Sequence, residues 1–184
     1  MPRRSFFAPF ALLLLAACGR AFPPPIPTQG PLPHVDWLAY HDDSVGFSIQ
    51  RPPTWQRVDS GTGPVVFALQ AAPGTNLIDK TMEIDVRPAA ADCKQSTYGG
   101  GAGAPAHVSV NGVEFVKEAG SGIAAGNIYD WKSYSSLRRA TCITLTFVLH
   151  SSSSGVYPTE PVAFDRAAES AIFDEILDTF RFDS

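Results

Sequence analysis

From Val45 onward, apolar and polar residues alternate in short runs separated by turn-forming residues, the pattern of half-buried strands. Val45, Phe47 and Ile49 make the first run, stopped by Pro52-Pro53. Val65 to Gln70 makes a second. Met82, Ile84 and Val86 alternate with Glu83, Asp85 and Arg87, the cleanest such strand in the chain. Val108 and Val110 precede Asn111-Gly112, and Val113 and Phe115 follow it. This predicts a hairpin with a two-residue turn, because both turn positions need positive φ. Asn127 to Ser135 reads as an aromatic-rich strand, and Ala140 to Leu149 as another with Ile143, Leu145, Phe147 and Leu149 on one face. Ser151 to Gly155 is expected to be a polar loop and Gly99 to Pro105 a flexible one.

The period then changes. Phe164, Ala167, Ala168, Ala171, Ile172, Ile176 and Leu177 recur at steps of one, three or four, which predicts a long amphipathic helix. Thr159 or Glu160 is placed to precede it and Pro161 to sit in its first turn. Asp165, Glu169, Asp174 and Asp178 are expected on its water-facing side. Phe180 and Phe182 return to a period of two. The fold class is therefore α+β: an antiparallel β-sheet with a long C-terminal helix on one face.

Residues 1–17 lack this patterning. Arg3 and Arg4 are followed by an apolar run from Phe6 to Leu15, and Leu15-Ala16-Ala17-Cys18 closes it. A core of about ten apolar residues is half of the roughly 20 that span a bilayer. The flanks are those of a secretory signal peptide. A Leu, two small residues and a Cys together resemble the bacterial lipobox. That resemblance implies diacylglycerol transfer to the Cys18 thiol, cleavage before Cys18, and acylation of the new amine by a fatty acid such as palmitate. The alternative is an ordinary signal peptide cut after Ala17. Arg3-Arg4-Ser5-Phe6-Phe7 also resembles a twin-arginine signal, so general and twin-arginine export both remain open. Two or three acyl chains anchor stably, at about 0.8 kcal/mol per buried CH₂.

Residues 18–33 carry Pro23, Pro24, Pro25, Pro27, Pro31 and Pro33, which excludes a helix or a central strand. They read as an extended tether of about 3.1 Å per residue, a reach of about 40 Å. Residues 34–184 form the globular domain, long enough to bury a core. The sequence is 45% hydrophobic and 17% charged, with a formal charge of −4. Removal of residues 1–17 takes away two Arg and no acid, leaving −6. Such a domain stands off from an anionic membrane, and its charge excludes a basic nucleic-acid binder.

The run Val45-Gly46-Phe47-Ser48-Ile49-Gln50-Arg51-Pro52-Pro53-Thr54-Trp55 resembles the opening of PsbP-like domains, in which an alternating strand meets a proline and then a tryptophan. Phe173-Asp174-Glu175-Ile176-Leu177-Asp178-Thr179-Phe180-Arg181-Phe182 is similar to their closing helix and short aromatic strand. The resemblance implies an α/β/α sandwich around an antiparallel sheet. Photosystem II extrinsic subunits, a nuclear-import factor that binds Ran and many bacterial lipoproteins share that fold. It brings no catalytic residues with it, and fold analogy does not give function.

Besides Cys18, two cysteines remain, Cys93 and Cys142. In an exported protein an even remainder predicts a disulfide. Closing a loop of about 50 residues stabilises by roughly 4 kcal/mol. The alternative, a reactive thiol, lacks an adjacent histidine. His41-Asp42-Asp43 reads as a solvated turn, and His34, His107 and His150 have no metal-ligand spacing. The glycines from Gly99 to Gly103 are followed by Pro105 and a strand rather than by a helix, so they are not a dinucleotide loop. The serines at 151–154 lack the nucleophile-elbow pattern. No catalytic, cofactor or metal residues are assigned. Trp55, Tyr129, Trp131 and Tyr134 are expected to pack under the helix, with a binding groove as the alternative.

The expected function is a lipid-anchored, non-enzymatic envelope module that binds a protein partner or a small ligand. An alternative is an envelope hydrolase, which would need His107 or His150 beside an acid and a nucleophile. Gly19 after Cys18 resembles the default for outer-membrane delivery in a cell with two membranes. The expected contact face is the one bearing Cys142, Thr144, Thr146 and Val148, with the loops containing Gly99 to Pro105 and Trp55.

Overall fold

The computed structural model describes residues 36–59, 61–71, 74–94, 103–153, 159 and 161–183. The signal segment, Cys18, the proline-rich tether, His34, the glycines at 99–101 and Ser154 lie outside them.

Ten strands and one helix follow in chain order: β1 Leu38–Asp42, β2 Phe47–Arg51, β3 Gln56–Arg57, β4 Val65–Gln70, β5 Leu77–Pro88, β6 Ala106–Val110, β7 Val113–Ala124, β8 Asn127–Arg138, β9 Thr141–Ser152, α1 Arg166–Leu177 and β10 Arg181–Phe182. Every pairing between strands is antiparallel, in a seven-stranded sheet ordered β3-β4-β5-β9-β8-β7-β6 and a three-stranded sheet ordered β1-β2-β10. β5 crosses to β6 because β9, β8 and β7 lie between them in the sheet. β6 to β9 form a meander of two-residue hairpins at Asn111-Gly112, Ala125-Gly126 and Arg139-Ala140, each with positive φ at both positions.

The opening and closing segments that carry the resemblance are both present, and they meet. Ser48 and Phe47 in β2 pair with Arg181 and Phe182 in β10. The Gln50 amide donates to Thr179 Oγ1 at 2.8 Å. Phe47 stacks on Phe180 with ring centroids 5.4 Å apart, and Phe180 meets Phe115 of β7 edge-on at 5.2 Å. The small sheet and α1 thus cover one face of the large sheet. Between them lies the core of Phe47, Ile49, Phe67, Met82, Phe115, Leu145, Phe147, Phe173 and Ile176. A helical layer on the opposite face, which an α/β/α sandwich requires, is not among the described residues.

The helix differs from the expectation in length, start and face. It has 12 residues. Asp165 is its N-cap, its Oδ1 accepting from the amides of Ala167 and Ala168 at 3.0 and 3.1 Å. This local carboxylate starts the helix after Phe164, so Thr159 and Pro161 fall outside it, and Glu160 lies outside the described residues. The buried stripe is Phe173, Ile176 and Leu177, flanked by Ile172, whereas Ala167, Ala168 and Ala171 are exposed. Two bulky turns outweigh three alanines, which have little surface to bury. Glu169 lies one step earlier on the same stripe and faces the sheet rather than water.

Three further expectations are corrected, and one strand runs beyond its apolar alternation. β9 runs on through Ser151 and Ser152, both buried, because Ser152 donates its amide to Asn76 O and pairs with Asn127. β7 continues to Ala124 through a glycine-rich stretch with no apolar alternation, carried by its pairing with β8. His41 and Asp42 end a strand, and Asp42 Oδ1 caps the turn that follows by accepting from the amides of Ser44 and Val45. Trp55 packs in the core under the helix as expected, edge-on to Phe173 at 5.9 Å, which takes it off the contact face bearing Cys142 where its loop was also placed.

Candidate functional site

Alternation along β8 and β9 distributes the candidate side chains over two faces. Tyr134 pairs with Leu145 and lies under the helical layer, as expected. Tyr129 and Trp131 pair with His150 and Val148 and lie on the other face, which corrects their placement under the helix.

That other face holds Cys142, Thr144, Thr146 and Val148, exposed by 0 to 4%. Ser133 and Ser135 opposite them are exposed by 0 and 1%. Ser135 and Thr144 share a hydrogen bond of 3.0 Å. Cys93 is joined to Cys142, with the Cα atoms 5.2 Å apart, and Arg87 Nη2 donates to the carbonyl of Lys94 at 2.5 Å. These residues are interior, so they are not an accessible contact surface.

At the end of this face, His150 sits between two strands. Its Nδ1 lies 2.9 Å from Asp79 Oδ2 in β5, and its Nε2 lies 2.9 Å from Asn127 Oδ1 in β8. Tyr129 stacks on its ring at 4.5 Å. An acid on Nδ1 is half of an acyl-transfer relay, but the other half requires Nε2 to face a nucleophile. Here Nε2 faces an amide oxygen, and the Asn127 amide nitrogen donates to Ala125 O at 3.3 Å. The nearby hydroxyls of Ser152 and Ser153 donate to the carbonyls of Asn76 and Gly126. The cluster is a strap across β5, β9 and β8. His41 bridges Asp43 and Asp183 at the surface, at 3.1 and 3.4 Å, and His107 is on the edge strand β6. Among the described residues, no three His, Cys, Asp or Glu side chains converge as metal ligands.

The densest charge chemistry is under and beside α1. Two lysines rise from inward positions of the sheet, on either side of β9. Lys80 of β5 pairs with Glu169, and both are largely buried. Lys132 of β8 bonds the carboxylate of Asp174 and the backbone carbonyl of Ser170, the latter at 3.1 Å. Burial lowers the Lys132 ammonium from its usual range, and Asp174 offsets that in part. Burial and then the Asp174 charge push the Tyr134 phenol well above its usual range. One turn toward the helix start, Arg166 Nη2 meets Asp130 Oδ2 at 2.8 Å. Of these, Asp130, Lys132, Arg166 and Ser170 border a solvent-open cleft of about 200 Å³, floored by Phe147, Leu149 and Phe173. Lys132 takes the Ser170 carbonyl and not its hydroxyl, so no serine–lysine pair is assembled.

Sequence periodicity missed these groups, although it held a signal for two of them. Lys80 and Lys132 occupy positions in phase with Met82 and Tyr134, where an apolar residue is expected. The partners on α1 had no such mark, because they read as ordinary solvated acids.

No family model matches the chain, and no curated protein matches it. Solved structures do. A protein from Bacteroides thetaiotaomicron superposes with a TM-score of 0.46 at 11% identity, over 79% of this chain and 48% of that one, so this chain spans about half its length. The Ran-binding protein Mog1p of Saccharomyces cerevisiae superposes with a TM-score of 0.47 at 7% identity, over 80% of this chain and 95% of that one. A mutant of protein Mog1 gives 0.46 at 8% identity, over 81% and 97%.

Proposed function

We propose that the chain is an envelope lipoprotein with a PsbP-like domain: residues 1–17 direct export, Cys18 carries the lipid, residues 18–33 space the domain from the membrane, and residues 34–184 bind a partner or small ligand without chemistry. In a cell with two membranes its place is the outer one. Leu15-Ala16-Ala17-Cys18 supports the anchor. The pairing of the two segments that resemble PsbP-like domains, β2 with β10, supports the domain. The observation that carries the binding reading is the cleft beside α1, open to solvent and bordered by an ion pair on an apolar floor, with no nucleophile assembled there among the described residues. The His150–Asp79 pair favours the second reading, an envelope hydrolase. The amide of Asn127 on Nε2 weighs against it.

The anchor is tested by the intact mass and fractionation of the mature protein. The wild type should carry acyl chains and sediment with membranes, and Cys18→Ser should accumulate as uncleaved precursor. A mature wild-type protein of unmodified mass, free in the medium, would end the lipoprotein reading. Crosslinking in intact cells then addresses the partner. Loss of phenotype in a folded, anchored His150→Gln variant would move the assignment to the hydrolase.

A further inference from the structure

We propose that the open edge of β7, residues 120–124, pairs antiparallel with the same edge of a second copy of this chain, joining two seven-stranded sheets about a two-fold axis.

β6 pairs with β7 only from Val113 to Lys117, and one further bond, from the Gly103 amide to Ala119 O at 2.9 Å, extends the cover. β7 itself runs to Ala124 and is paired with β8 to that end. Backbone groups in an antiparallel strand point alternately to the two sides. Ala119 O faces away from β8, so the amides and carbonyls of Ser121 and Ile123 do too. Among the described residues nothing bonds to them. Ser121, Ile123 and Ala124 are exposed, and Ile123, at 76%, is the most exposed large apolar side chain among the described residues. Such a row of open donors and acceptors is a template for another strand, and proteins blunt it with shortness, charge, proline or bulges. β3 and β10 have two residues each, and β1 carries Asp42. Residues 119–124, Ala-Gly-Ser-Gly-Ile-Ala, have no charge and no proline, and their register with β8 is unbroken.

Self-complementarity selects a second copy as the occupant. Antiparallel pairing sets one stretch against itself, as a two-fold interface requires. Gly103 fixes the register. Centring on Ser121 would set Ile123 against Ala119, whose carbonyl Gly103 already holds. Centring on Gly122 sets Ser121 against Ile123 in both directions and uses every open amide and carbonyl of those two residues. The paired stretch then fits between Gly103 and the Ala125-Gly126 turn. The two Ile123 side chains become diagonal neighbours across the axis, within reach of each other. Each is also diagonal to Ala119 of the other copy, which lines the cleft beside α1. Charge permits the approach: Asp130, opposite Ser121 on β8, is compensated by Arg166 at 2.8 Å. Five residues a side bury far less than the roughly 1,600 Å² of a standard interface, so the pair is weak and reversible.

Gly122 meets itself across the axis as a non-hydrogen-bonded pair, with Cα atoms about 4.5 Å apart, within disulfide range. A Cβ at Gly122 meets nothing within 4 Å. The full chain carrying Gly122→Cys, mildly oxidised in intact cells and after purification, should give a reducible species of twice the chain mass. Its yield should be at least fivefold that of Val58→Cys, a control at a position 57% exposed, beyond β3 at the opposite edge of the sheet. Adding Ile123→Lys, which sets two cations together at the axis, should cut the yield at least fivefold while the melting temperature stays within a few degrees. Sedimentation equilibrium of the wild type in density-matched detergent reads the same pairing without the cysteine: the mass should rise with concentration toward two chains, and Ile123→Lys should stay at one. A wild type that is single at every concentration overturns the proposal, as does equal crosslinking of Gly122→Cys and Val58→Cys or an undiminished yield with Ile123→Lys. A Gly122→Cys species of any other mass also overturns it, because the edge then takes a strand of a different protein.

Discussion

Along β9, Ile143, Leu145, Phe147 and Leu149 meet the helix and the small sheet, whereas Cys142, Thr144 and Thr146 meet hydroxyls and a disulfide on the other face. Both sets are buried. The first face is held by apolar area, with two lysine–carboxylate contacts tying the helix down. The second buries Val148 and Trp131 among its hydroxyls, and adds a covalent link and side-chain hydrogen bonds. Equal burial therefore does not mean equal chemistry. The two faces should respond differently to oxidation state, charge removal and pH.

The largest expected difference is on the hydroxyl face. Replacing both bridged cysteines, as Cys93→Ala with Cys142→Ala, removes a link that closes a separation of 49 residues. The chain-entropy model puts the loss at about 4 kcal/mol. Urea unfolding of oxidised wild type, reduced wild type and the variant measures it. The reduced protein and the variant should coincide within about 1 kcal/mol and both fall well below the oxidised protein. A loss under about 1 kcal/mol would mean that this face is held without the link. Non-reducing peptide mapping should recover Cys93 and Cys142 in one fragment.

On the helix face the sharpest probe is charge. Glu169→Gln leaves the Lys80 ammonium, 5% exposed, without its carboxylate. Breaking a buried pair from one side costs about 3 kcal/mol or more, whereas replacing both partners by apolar groups is near neutral. Lys80→Met with Glu169→Leu should therefore recover most of the loss. The control is the pair of Lys94 and Asp92 flanking Cys93, 3.2 Å apart and mostly exposed. Asp92→Asn should change stability by less than about 0.5 kcal/mol. Similar losses at Glu169 and Asp92 would remove the distinction between the two faces.

The contrast also explains what was legible in the sequence. The helix face was readable because Met82, Ile84, Leu145 and Phe147 follow strict alternation, and Asn111-Gly112 marks its own turn. The Cys93–Cys142 pair followed from counting. The rest depends on partners far apart in sequence. Ser151 and Ser152 read as loop because their burial comes from Asn76 and Asn127. Glu169 read as solvent-facing because Lys80, 89 residues away, cannot be assigned to it without the register of β5 and β9, and Asp174, which is exposed as expected, gave no sign of its contact with Lys132, 42 residues away. The Ala125-Gly126 and Arg139-Ala140 turns carry weak turn signals, and the pairing on both sides imposes their positive φ. The cleft was invisible for the same reason: Asp130 and Arg166 are brought together only when α1 settles on the sheet.

The smallest effect concerns pH, and it arises only on the helix face. Tyr134 is buried between Phe115 and Phe147, with its hydroxyl 3.5 Å from Asp174 Oδ1. Burial and that carboxylate keep the folded phenol protonated well above its ordinary range. The unfolded phenol ionises near pH 10. The stabilisation is thus complete below about pH 10 and is lost as pH rises toward the raised folded value. Lys132 acts in the opposite sense: burial lowers its folded value, so its contribution to stability rises with pH below the ordinary lysine range. In the wild type these two contributions oppose each other, and the Tyr40 phenol, raised by burial and then by the Asp42 charge, adds to the fall. Tyr134→Phe should remove its own part of the fall, flattening or reversing the stability curve from pH 9 to 11 by about 1 kcal/mol, since one pKa unit corresponds to about 1.4 kcal/mol. Lys132→Met should steepen the fall. Both curves are read from urea midpoints in matched buffers. If Tyr134→Phe and wild type superimpose across that range, the phenol and Asp174 are not coupled in solution. The helix face would then differ from the hydroxyl face in packing alone.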